Sequence, residues 1–241
     1  MAESASEAPA TIDWRTTKRW FTHETWLASL TKFVMGIYYY PKIRIERIGF
    51  ENIPSGPAIV VANHISNDDP PLMGVAFPKG RYPFFMAKKE LFDKFEWYYR
   101  TVGAFPVYRG GVDTWAFEHV GKILKAGQLC VLYAEGSRSG RDRVELRRAK
   151  TGAVRLADRY KVPILPCSLL GPEKLRTKLP RGWRPVTVRI NVGPLIDLQA
   201  VIKSLPEELR ASEVRMYREL TNRVMRQLAL LLPEENRGYY A

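Results

Sequence analysis

Short apolar runs alternate along this chain with longer segments of helical periodicity. The runs have the length of β-strands, and we predict seven strands, covering residues 43–48, 58–62, 83–87, 104–108, 129–134, 164–170 and 186–192. The first run alternates apolar and polar positions, which predicts a half-exposed strand. Strands that alternate with helices predict a sheet with helices on both faces.

Two of the helical segments carry a clear apolar stripe. One stripe comprises Val112, Trp115, Ala116, His119, Val120, Ile123 and Leu124, and the other comprises Tyr217, Leu220, Val224, Leu228 and Leu231. Gly127 is a typical stop signal for the first helix. We interpret both stripes as core packing and His119 as a structural residue. Because the chain contains no repeat or flexible linker, we predict a single α/β domain over residues 41–241, with a mixed, mostly parallel sheet flanked by helices.

The first forty residues have a different composition. Residues 1–12 are small, polar and acidic at their start, which is typical of a flexible tail rather than a signal peptide, so we expect a cytoplasmic chain. Residues 13–40 predict amphipathic helices whose apolar stripe comprises Trp26, Leu27, Leu30, Phe33, Val34, Ile37 and Tyr38.

This amphipathic segment can serve two purposes. It is too polar for a span of about 20 apolar residues, and basic residues flank it: Arg15, Lys18, Arg19, Lys32, Lys42 and Arg44. An aromatic, basic, amphipathic helix is typical of a membrane interface, so we predict peripheral binding at the cytoplasmic side of the cell membrane. The alternative is a helix that packs on the protein's own core.

The net charge of +13 indicates an anionic partner, either nucleic acid, an anionic membrane surface or a phosphorylated substrate. The charge is spread along the chain without zinc-finger spacing or an RNA-binding aromatic signature, so we expect no nucleic acid partner. Cys130 and Cys167 lie inside apolar runs, which predicts buried thiols in a reducing compartment. With no cysteine and histidine cluster, we expect no metal site.

A histidine and an aspartate separated by four residues, His64 and Asp69, follow the apolar run 58–62. Positions five apart on a straight helix lie about 140° apart, so the pair can meet only across a turn. Pro70 supports such a turn, because proline favours the first helical position. A carboxylate that accepts the Nδ1 proton leaves Nε2 free as a general base. The alternatives are that Asp69 caps a helix and that His64 is a hydrogen-bonded loop residue.

Four further segments follow in order: residues 87–91, 103–109, 135–139 and 162–166. Together with the histidine segment they resemble the blocks of the glycerolipid acyltransferase superfamily, and specifically the 1-acyl-sn-glycerol-3-phosphate (lysophosphatidate) acyltransferases. The resemblance covers about residues 40 to 195. It implies a glycerol-3-phosphate acyltransferase-like fold, so that residues 41–241 form the acyltransferase domain.

The resemblance also implies roles for individual residues. It makes His64 and Asp69 the catalytic pair, and it implies that substrate is bound by Lys88, Gly103, Arg109, Glu135, Gly136, Ser137, Arg138, Pro163, Ile164 and Pro166. Of these, Lys88, Gly103 and Arg109 match acceptor phosphate binding, residues 135–138 match the block that holds glycerol phosphate, and residues 163–166 match an acyl-chain block. Taken singly, the arginines could be surface ion pairs, Glu135 a helix-start carboxylate and the prolines strand punctuation.

The activity that the resemblance implies is acyl transfer to the sn-2 hydroxyl of 1-acyl-sn-glycerol 3-phosphate, which gives phosphatidic acid. Acyl-CoA or acyl-acyl carrier protein is the co-substrate, and no cofactor is implied. Asp68 departs from the family pattern and could compete for His64. Another acceptor (glycerol 3-phosphate, another lysolipid or a glycolipid) and a non-catalytic basic protein that binds membranes or lipids are the alternatives.

Overall fold

The computed structural model describes residues 15, 18–108, 111, 113–138, 144–176 and 185–241. Residues 1–12, predicted as a flexible tail, lie outside this range, as does Arg109. The described residues form a seven-stranded sheet in the order β1-β7-β6-β2-β5-β3-β4. The strands are β1 (Ile43–Ile48), β2 (Ala58–Ala62), β3 (Pro83–Lys88), β4 (Ala104–Val107), β5 (Leu129–Tyr133), β6 (Ile164–Leu170) and β7 (Val186–Val192).

Neighbouring strands are parallel throughout the sheet except for β6 and β7. The mixed, mostly parallel sheet predicted from the sequence is therefore confirmed, and each predicted strand lies within one residue of its observed bounds. In the central rows, Val60 of β2 pairs with Val131 of β5, which pairs with Phe85 of β3, which pairs with Ala104 of β4. The carboxyl ends of these four strands consequently meet at one edge of the sheet.

Eight α-helices accompany the strands in the described part of the chain. They are α1 (Trp26–Tyr39), α2 (Asp69–Ala76), α3 (Phe92–Thr101), α4 (Thr114–Lys125), α5 (Gly152–Tyr160), α6 (Leu198–Ser204), α7 (Glu207–Arg210) and α8 (Glu213–Ala229). Asp113 caps the start of helix α4, because its side chain accepts a hydrogen bond from the Ala116 amide, and Gly127 follows the end of the helix with φ of 75°.

Strand β2 is buried on both faces, and its side chains alternate between two apolar cores. Ile59 and Val61 pack in the core that includes residues of α4, α5 and α8. Ala58, Val60 and Ala62 pack in the core that includes residues of α1, α2 and α3. The sheet is thus the middle layer of three, which explains why its central strands are continuous apolar runs.

The two predicted helical stripes pack as expected. Leu220, Val224 and Leu228 of α8 are buried in the first core, and Tyr217 packs against it. His119 of α4 is buried as well, with its ring stacked on Trp115 at a centroid distance of 5.2 Å and at an interplanar angle of 5°. Val112 of the first stripe lies outside the described residues. For the described residues the interpretation of both stripes as core packing, and of His119 as a buried structural residue, is confirmed.

Helix α1 presents its apolar stripe outward. Trp26, Phe33 and Ile37 are 76%, 66% and 61% exposed, whereas Ala28, Gly36 and Tyr39 are buried on the opposite face. The alternative in which this stripe packs on the protein's own core is therefore wrong for most of its residues. At 14 residues α1 is shorter than a membrane span, and in the described ranges we find no helix long and apolar enough to cross a bilayer.

His119 generates a prediction about acid stability. Burial, and secondarily the positive charge of Lys122, lower the pKa of His119 to about 4. Below pH 6.5 the unfolded chain binds a proton at this position that the folded protein does not, so stability is lost as pH falls from about 6.5 towards 4. At pH 5 this loss amounts to about 2 kcal/mol.

We expect His119→Gln, which cannot titrate, to lose about 2 kcal/mol less stability than the parent between pH 7 and pH 5. Urea denaturation of both proteins at the two pH values measures the difference. Equal losses in the two proteins would show that His119 does not contribute to acid sensitivity.

Candidate active site

His64 and Asp69 meet across the turn between β2 and α2. The Oδ2 atom of Asp69 lies 2.7 Å from Nδ1 of His64. The same oxygen accepts hydrogen bonds from the backbone amides of Ile65 at 2.8 Å and Ser66 at 2.9 Å. Asp69 is fully buried and is the first residue of α2, so its carboxylate turns back from the helix towards the histidine instead of capping the helix.

The imidazole of His64 is held in one orientation and exposes one edge. Its ring stacks on Tyr133 of β5, with centroids 4.0 Å apart and an interplanar angle of 17°, and its side chain is 18% exposed. Because Nδ1 faces a carboxylate, the proton of the neutral ring resides on Nδ1 and the lone pair on Nε2. Burial raises the pKa of the Tyr133 phenol well above its ordinary value, so the stacking partner stays neutral.

Asp68 is engaged elsewhere. Its Oδ1 accepts a hydrogen bond from the Tyr39 hydroxyl at 2.8 Å, and its Oδ2 accepts one from the Ser66 hydroxyl at 2.9 Å. Asp68 occupies the position before α2 but makes no capping hydrogen bond. Of the two adjacent carboxylates, the geometry thus pairs Asp69 with His64.

Asn63 fixes the end of β2 and was not singled out from the sequence. Its side-chain amide donates to the Leu169 carbonyl at 2.9 Å, and its side-chain oxygen accepts from the Leu169 amide at 2.8 Å. The fully buried side chain therefore continues the hydrogen bonding between β2 and β6 beyond the last residue of β2. A polar amide directly after a buried apolar run was the available signal.

Glu135 braces the same loop from β5. Its Oε1 accepts from the His64 amide at 3.4 Å, and its Oε2 accepts from the amide and Nε of Arg147 at 3.1 and 3.2 Å. Burial raises the pKa of the Glu135 carboxyl, and the hydrogen bonds from Arg147 oppose that rise. The Arg147 guanidinium also bonds the backbone carbonyl and hydroxyl of Ser137. Glu135 and Ser137 are thus both hydrogen-bonded to Arg147, a residue that was not predicted from the sequence.

Four basic side chains lie near these contacts. We call them the basic rim, and they are Lys88, Arg138, Arg147 and Lys150. Gly136 adopts φ of 75°, and a side chain there would lie 2.9 Å from Cε of Lys150. Lys150 is exposed, as are Arg138 two residues after Gly136 and Lys88 at the carboxyl end of β3, and Arg147 keeps 43% of its side chain exposed. The carboxyl edge therefore combines a base with several cations. Lys150 follows a basic stretch at residues 147–148, which was the signal for it and for Arg147.

Gly103 lies away from this edge. It precedes β4 and adopts φ of 69°, and a side chain there would lie 3.2 Å from the rings of Tyr82 and Phe84. Measured along the parallel strands, Gly103 lies five residues before the level of His64, which corresponds to a distance of about 16 Å. The structure therefore brings Gly103 into aromatic packing and not into contact with the dyad.

The segment Pro163–Pro166 lies at the start of β6. Ile164 pairs with Ile59 and Pro166 with Val61, and the Pro163 carbonyl accepts from the Ile59 amide at 3.1 Å. Ile164 and Pro166 therefore lie in the first half of β6, and the row of Pro166 and Val61 lies three residues before His64 along β2. Their position is that of a scaffold for β2.

The two cysteine thiols are chemically inert in this structure. Cys130 and Cys167 are fully buried thiols, and burial raises the pKa of Cys167 to about 12 and that of Cys130 further. Both thiols therefore stay protonated and unreactive. Among the described residues, no group of three or more histidine, cysteine, aspartate or glutamate side chains could hold a metal ion.

Comparison with known proteins identifies relatives of this chain. The Acyltransferase family model matches residues 44–170, which is more than half of the 241 residues. A 1-acyl-sn-glycerol-3-phosphate acyltransferase from Streptococcus pneumoniae is 32% identical over 164 residues, covering 67% of this chain and 58% of the relative. The enzyme of that name from Bacillus subtilis is 32% identical over 139 residues, covering 55% of this chain and 65% of the relative. The aligned regions therefore span less than two thirds of both relatives.

One solved structure is similar over most of the chain. It is the 1-acyl-sn-glycerophosphate (LPA) acyltransferase PlsC from Thermotoga maritima. The two chains superpose with a TM-score of 0.56 at 27% sequence identity, covering 82% of this chain and 76% of the other. The likeness includes the sheet and the helices on both of its faces.

Proposed function

This chain belongs to the acyltransferase family, and we propose that it transfers a fatty acyl group from an acyl thioester to the sn-2 hydroxyl of 1-acyl-sn-glycerol 3-phosphate. The products are phosphatidic acid and a free thiol, and the thioester is acyl-CoA or acyl-acyl carrier protein. The observation that carries the proposal is the 2.7 Å contact between His64 Nδ1 and the buried Asp69 carboxylate, at the edge of the sheet where the imidazole is partly exposed. The names of the relatives from Streptococcus pneumoniae and Bacillus subtilis support this choice of acceptor.

The proposed reaction uses His64 as base and then as acid. Nε2 takes the proton of the acceptor hydroxyl as its oxygen attacks the thioester carbonyl carbon. The resulting tetrahedral intermediate collapses, the carbon–sulfur bond breaks, and Nε2 returns the proton to the departing thiolate. Asp69 stabilises the imidazolium and holds it in place through this cycle, because its carboxylate is itself held by two backbone amides.

We assign the phosphate of the acceptor to the basic rim. Arg138 and Lys88 are exposed at the carboxyl edge, and the resemblance adds Arg109, which lies outside the described residues. Arg147 and Lys150 extend the positive charge towards the loop of His64. Guanidinium groups bind phosphate oxygens bidentately, so binding remote from the reacting hydroxyl can orient it towards Nε2.

The proposed acceptor partitions into bilayers, and α1 offers a surface that fits an anionic one. We define the outer face of α1 as Trp26, Leu30, Phe33, Val34, Ile37 and Tyr38, all of them exposed. An apolar groove of about 560 Å³ opens along it, lined in part by Phe33, Ile37 and Val75. Helices of this composition bind peripherally in the interface. We propose that the outer face binds the cytoplasmic surface of the cell membrane.

Two of the basic residues that the sequence offers for membrane binding are bonded to the protein itself. Arg15 pairs with Asp113 at 2.9 Å, and the Lys32 ammonium donates to the Phe77 carbonyl, so both turn towards the protein. Arg19 and Arg44 are exposed in the segments on either side of α1 and remain suitable. The electrostatic part of binding thus depends on fewer groups than the sequence suggests.

The dyad is tested by turnover. We expect His64→Ala to lower kcat by about 10²- to 10⁴-fold, because a general base contributes that much. Asp69→Asn should be severe and Asp68→Asn mild, since only Asp69 contacts the imidazole. Product analysis with labelled acyl thioesters and a panel of acceptors (lysophosphatidate, glycerol 3-phosphate, other lysolipids and a glycolipid) measures both activity and acceptor choice. Full activity of His64→Ala would remove the proposed base, and inactivity of the parent on every acceptor would favour a non-catalytic lipid-binding protein.

The basic rim is tested by steady-state kinetics. We expect Arg138→Ala to raise the acceptor KM about tenfold with little change in the donor KM, because a hydrogen bond to a charged group contributes about 1.5 kcal/mol or more. Arg159→Ala is the matched control, since Arg159 is exposed in the last turn of α5, at the opposite edge of the sheet. Equal changes in the two variants would show that Arg138 is not a phosphate ligand.

Membrane binding is tested by sedimentation with vesicles. The parent should sediment with anionic vesicles, release in high salt and bind neutral vesicles poorly. Phe33→Ser should weaken binding about tenfold or more, because burying a phenylalanine contributes about 1.5–3 kcal/mol. Val214→Ser removes an equally exposed apolar side chain from α8 and should bind like the parent. Identical binding of all three proteins would exclude the outer face of α1 as the membrane contact.

A further inference from the structure

We propose that Tyr39 is a positioning residue for the His64–Asp69 dyad, and that it acts by holding the neighbouring Asp68 carboxylate away from the imidazole. Tyr39 touches neither the imidazole nor the reacting atoms. The kinetic consequence rests on the proposed acyl transfer, whereas the effect on the imidazole rests on the geometry of the loop alone.

Two adjacent carboxylates, Asp68 and Asp69, can compete for His64. Asp68 and Asp69 both lie at the amino end of α2, where the helix dipole favours negative charge, so both are stabilised as anions there. Only one of them can accept the Nδ1 proton of His64. A carboxylate at residue 68 that was free to rotate would compete for this proton, or for the backbone amides that hold Asp69.

A continuous series of hydrogen bonds separates the two carboxylates. The Tyr39 hydroxyl donates to Oδ1 of Asp68, and the Ser66 hydroxyl donates to Oδ2 of Asp68. The Ser66 amide then donates to Oδ2 of Asp69, which contacts His64. Each oxygen of Asp68 therefore accepts a hydrogen bond from a hydroxyl group, and the hydroxyl on Oδ1 comes from α1.

Of the two hydroxyl donors, Tyr39 is the one that comes from outside the loop. Ser66 belongs to the same loop as Asp68, and its side-chain oxygen also accepts a hydrogen bond from the Asp68 amide at 3.2 Å. The tyrosine ring belongs to α1 and is buried in the core that also contains Leu72 and Met73 of α2. Burial raises the pKa of Tyr39, and the hydrogen bond to Asp68 raises it further, so the hydroxyl keeps its proton over the whole working range.

Loss of the hydroxyl should therefore release Asp68. In Tyr39→Phe the ring still fills its place, but Asp68 retains only the Ser66 hydroxyl. The charged groups that face His64 in the parent are Asp69 from α2 and Glu135 after β5, whose carboxylate bonds the His64 amide, while Tyr133 from β5 is neutral. A second carboxylate in this space would misorient the ring and favour its protonated form.

The kinetic test uses four variants. We expect Tyr39→Phe to lower kcat about tenfold with little change in either KM, since it weakens the hold on a charged group. Asp68→Asn in the Tyr39→Phe background should restore kcat to the level of Asp68→Asn alone, because an amide cannot act as a competing anion. Tyr40→Phe is the control, because the Tyr40 hydroxyl bonds Arg47 and should leave kcat at the parent value.

A rescue of this kind separates positioning from packing. If Tyr39 only stabilised α1, the loss in Tyr39→Phe would persist, or deepen, when Asp68 is also replaced. Persistence of the loss in the double variant would overturn the proposal. Unchanged kcat in Tyr39→Phe would overturn it too.

A second measurement does not depend on turnover. Side-chain NMR of the three histidines, with His64 assigned through His64→Ala, reports protonation of the imidazole directly. We expect His64 in Tyr39→Phe to be protonated at higher pH than in the parent, and the double variant to return to the behaviour of Asp68→Asn. Identical titrations of His64 in the parent and in Tyr39→Phe would overturn the proposal. If the parent shows no turnover on any acceptor, the proposed function fails, and this measurement still decides the role of Tyr39.

Discussion

The buried carboxylate of Asp69 is the constraint around which the site is built. An isolated charge in a protein interior is strongly unfavourable, and it persists only where hydrogen bonds satisfy it. Here one oxygen of Asp69 receives two backbone amides and the imidazole of His64. These three contacts require a tight turn between β2 and α2, so the need to satisfy one charge fixes the backbone path, and the backbone path fixes the base.

The strands on both sides of β2 hold the turn between β2 and α2 in place. Asn63 bonds the backbone of β6, and Glu135, just after β5, bonds the amide of His64. Both polar side chains are buried. Asn63 hydrogen-bonds to backbone groups, and Glu135 hydrogen-bonds to a backbone amide and to Arg147. Loops at a sheet edge are ordinarily mobile, whereas this one is tied to both neighbouring strands and so keeps the imidazole in a fixed place.

The sequence predicts most of the fold because its central strands are buried on both faces. Continuous apolar runs such as 58–62 have no other stable placement, and the pairing of His64 with Asp69 follows from their spacing and Pro70. The order of motifs does not reveal which end of a strand a residue occupies, so Gly103 and Pro163 were grouped with residues that lie at the opposite edge. Contacts between distant segments, such as Glu135 with Arg147 or Tyr39 with Asp68, leave no periodic signal in the sequence and could not be predicted from it.

The stacking of His64 on Tyr133 has a consequence for the path of the proton. One flank of the imidazole is covered by a ring, and Nδ1 is occupied by Asp69, so Nε2 is the ring nitrogen open to substrates. Uptake and release of the proton in the proposed reaction must then use the same atom. A thioester bound alone would meet a neutral ring with no proton to give to sulfur, and an acceptor bound alone would have no carbon to attack. Both substrates must therefore be bound together, which corresponds to a sequential kinetic mechanism with a ternary complex.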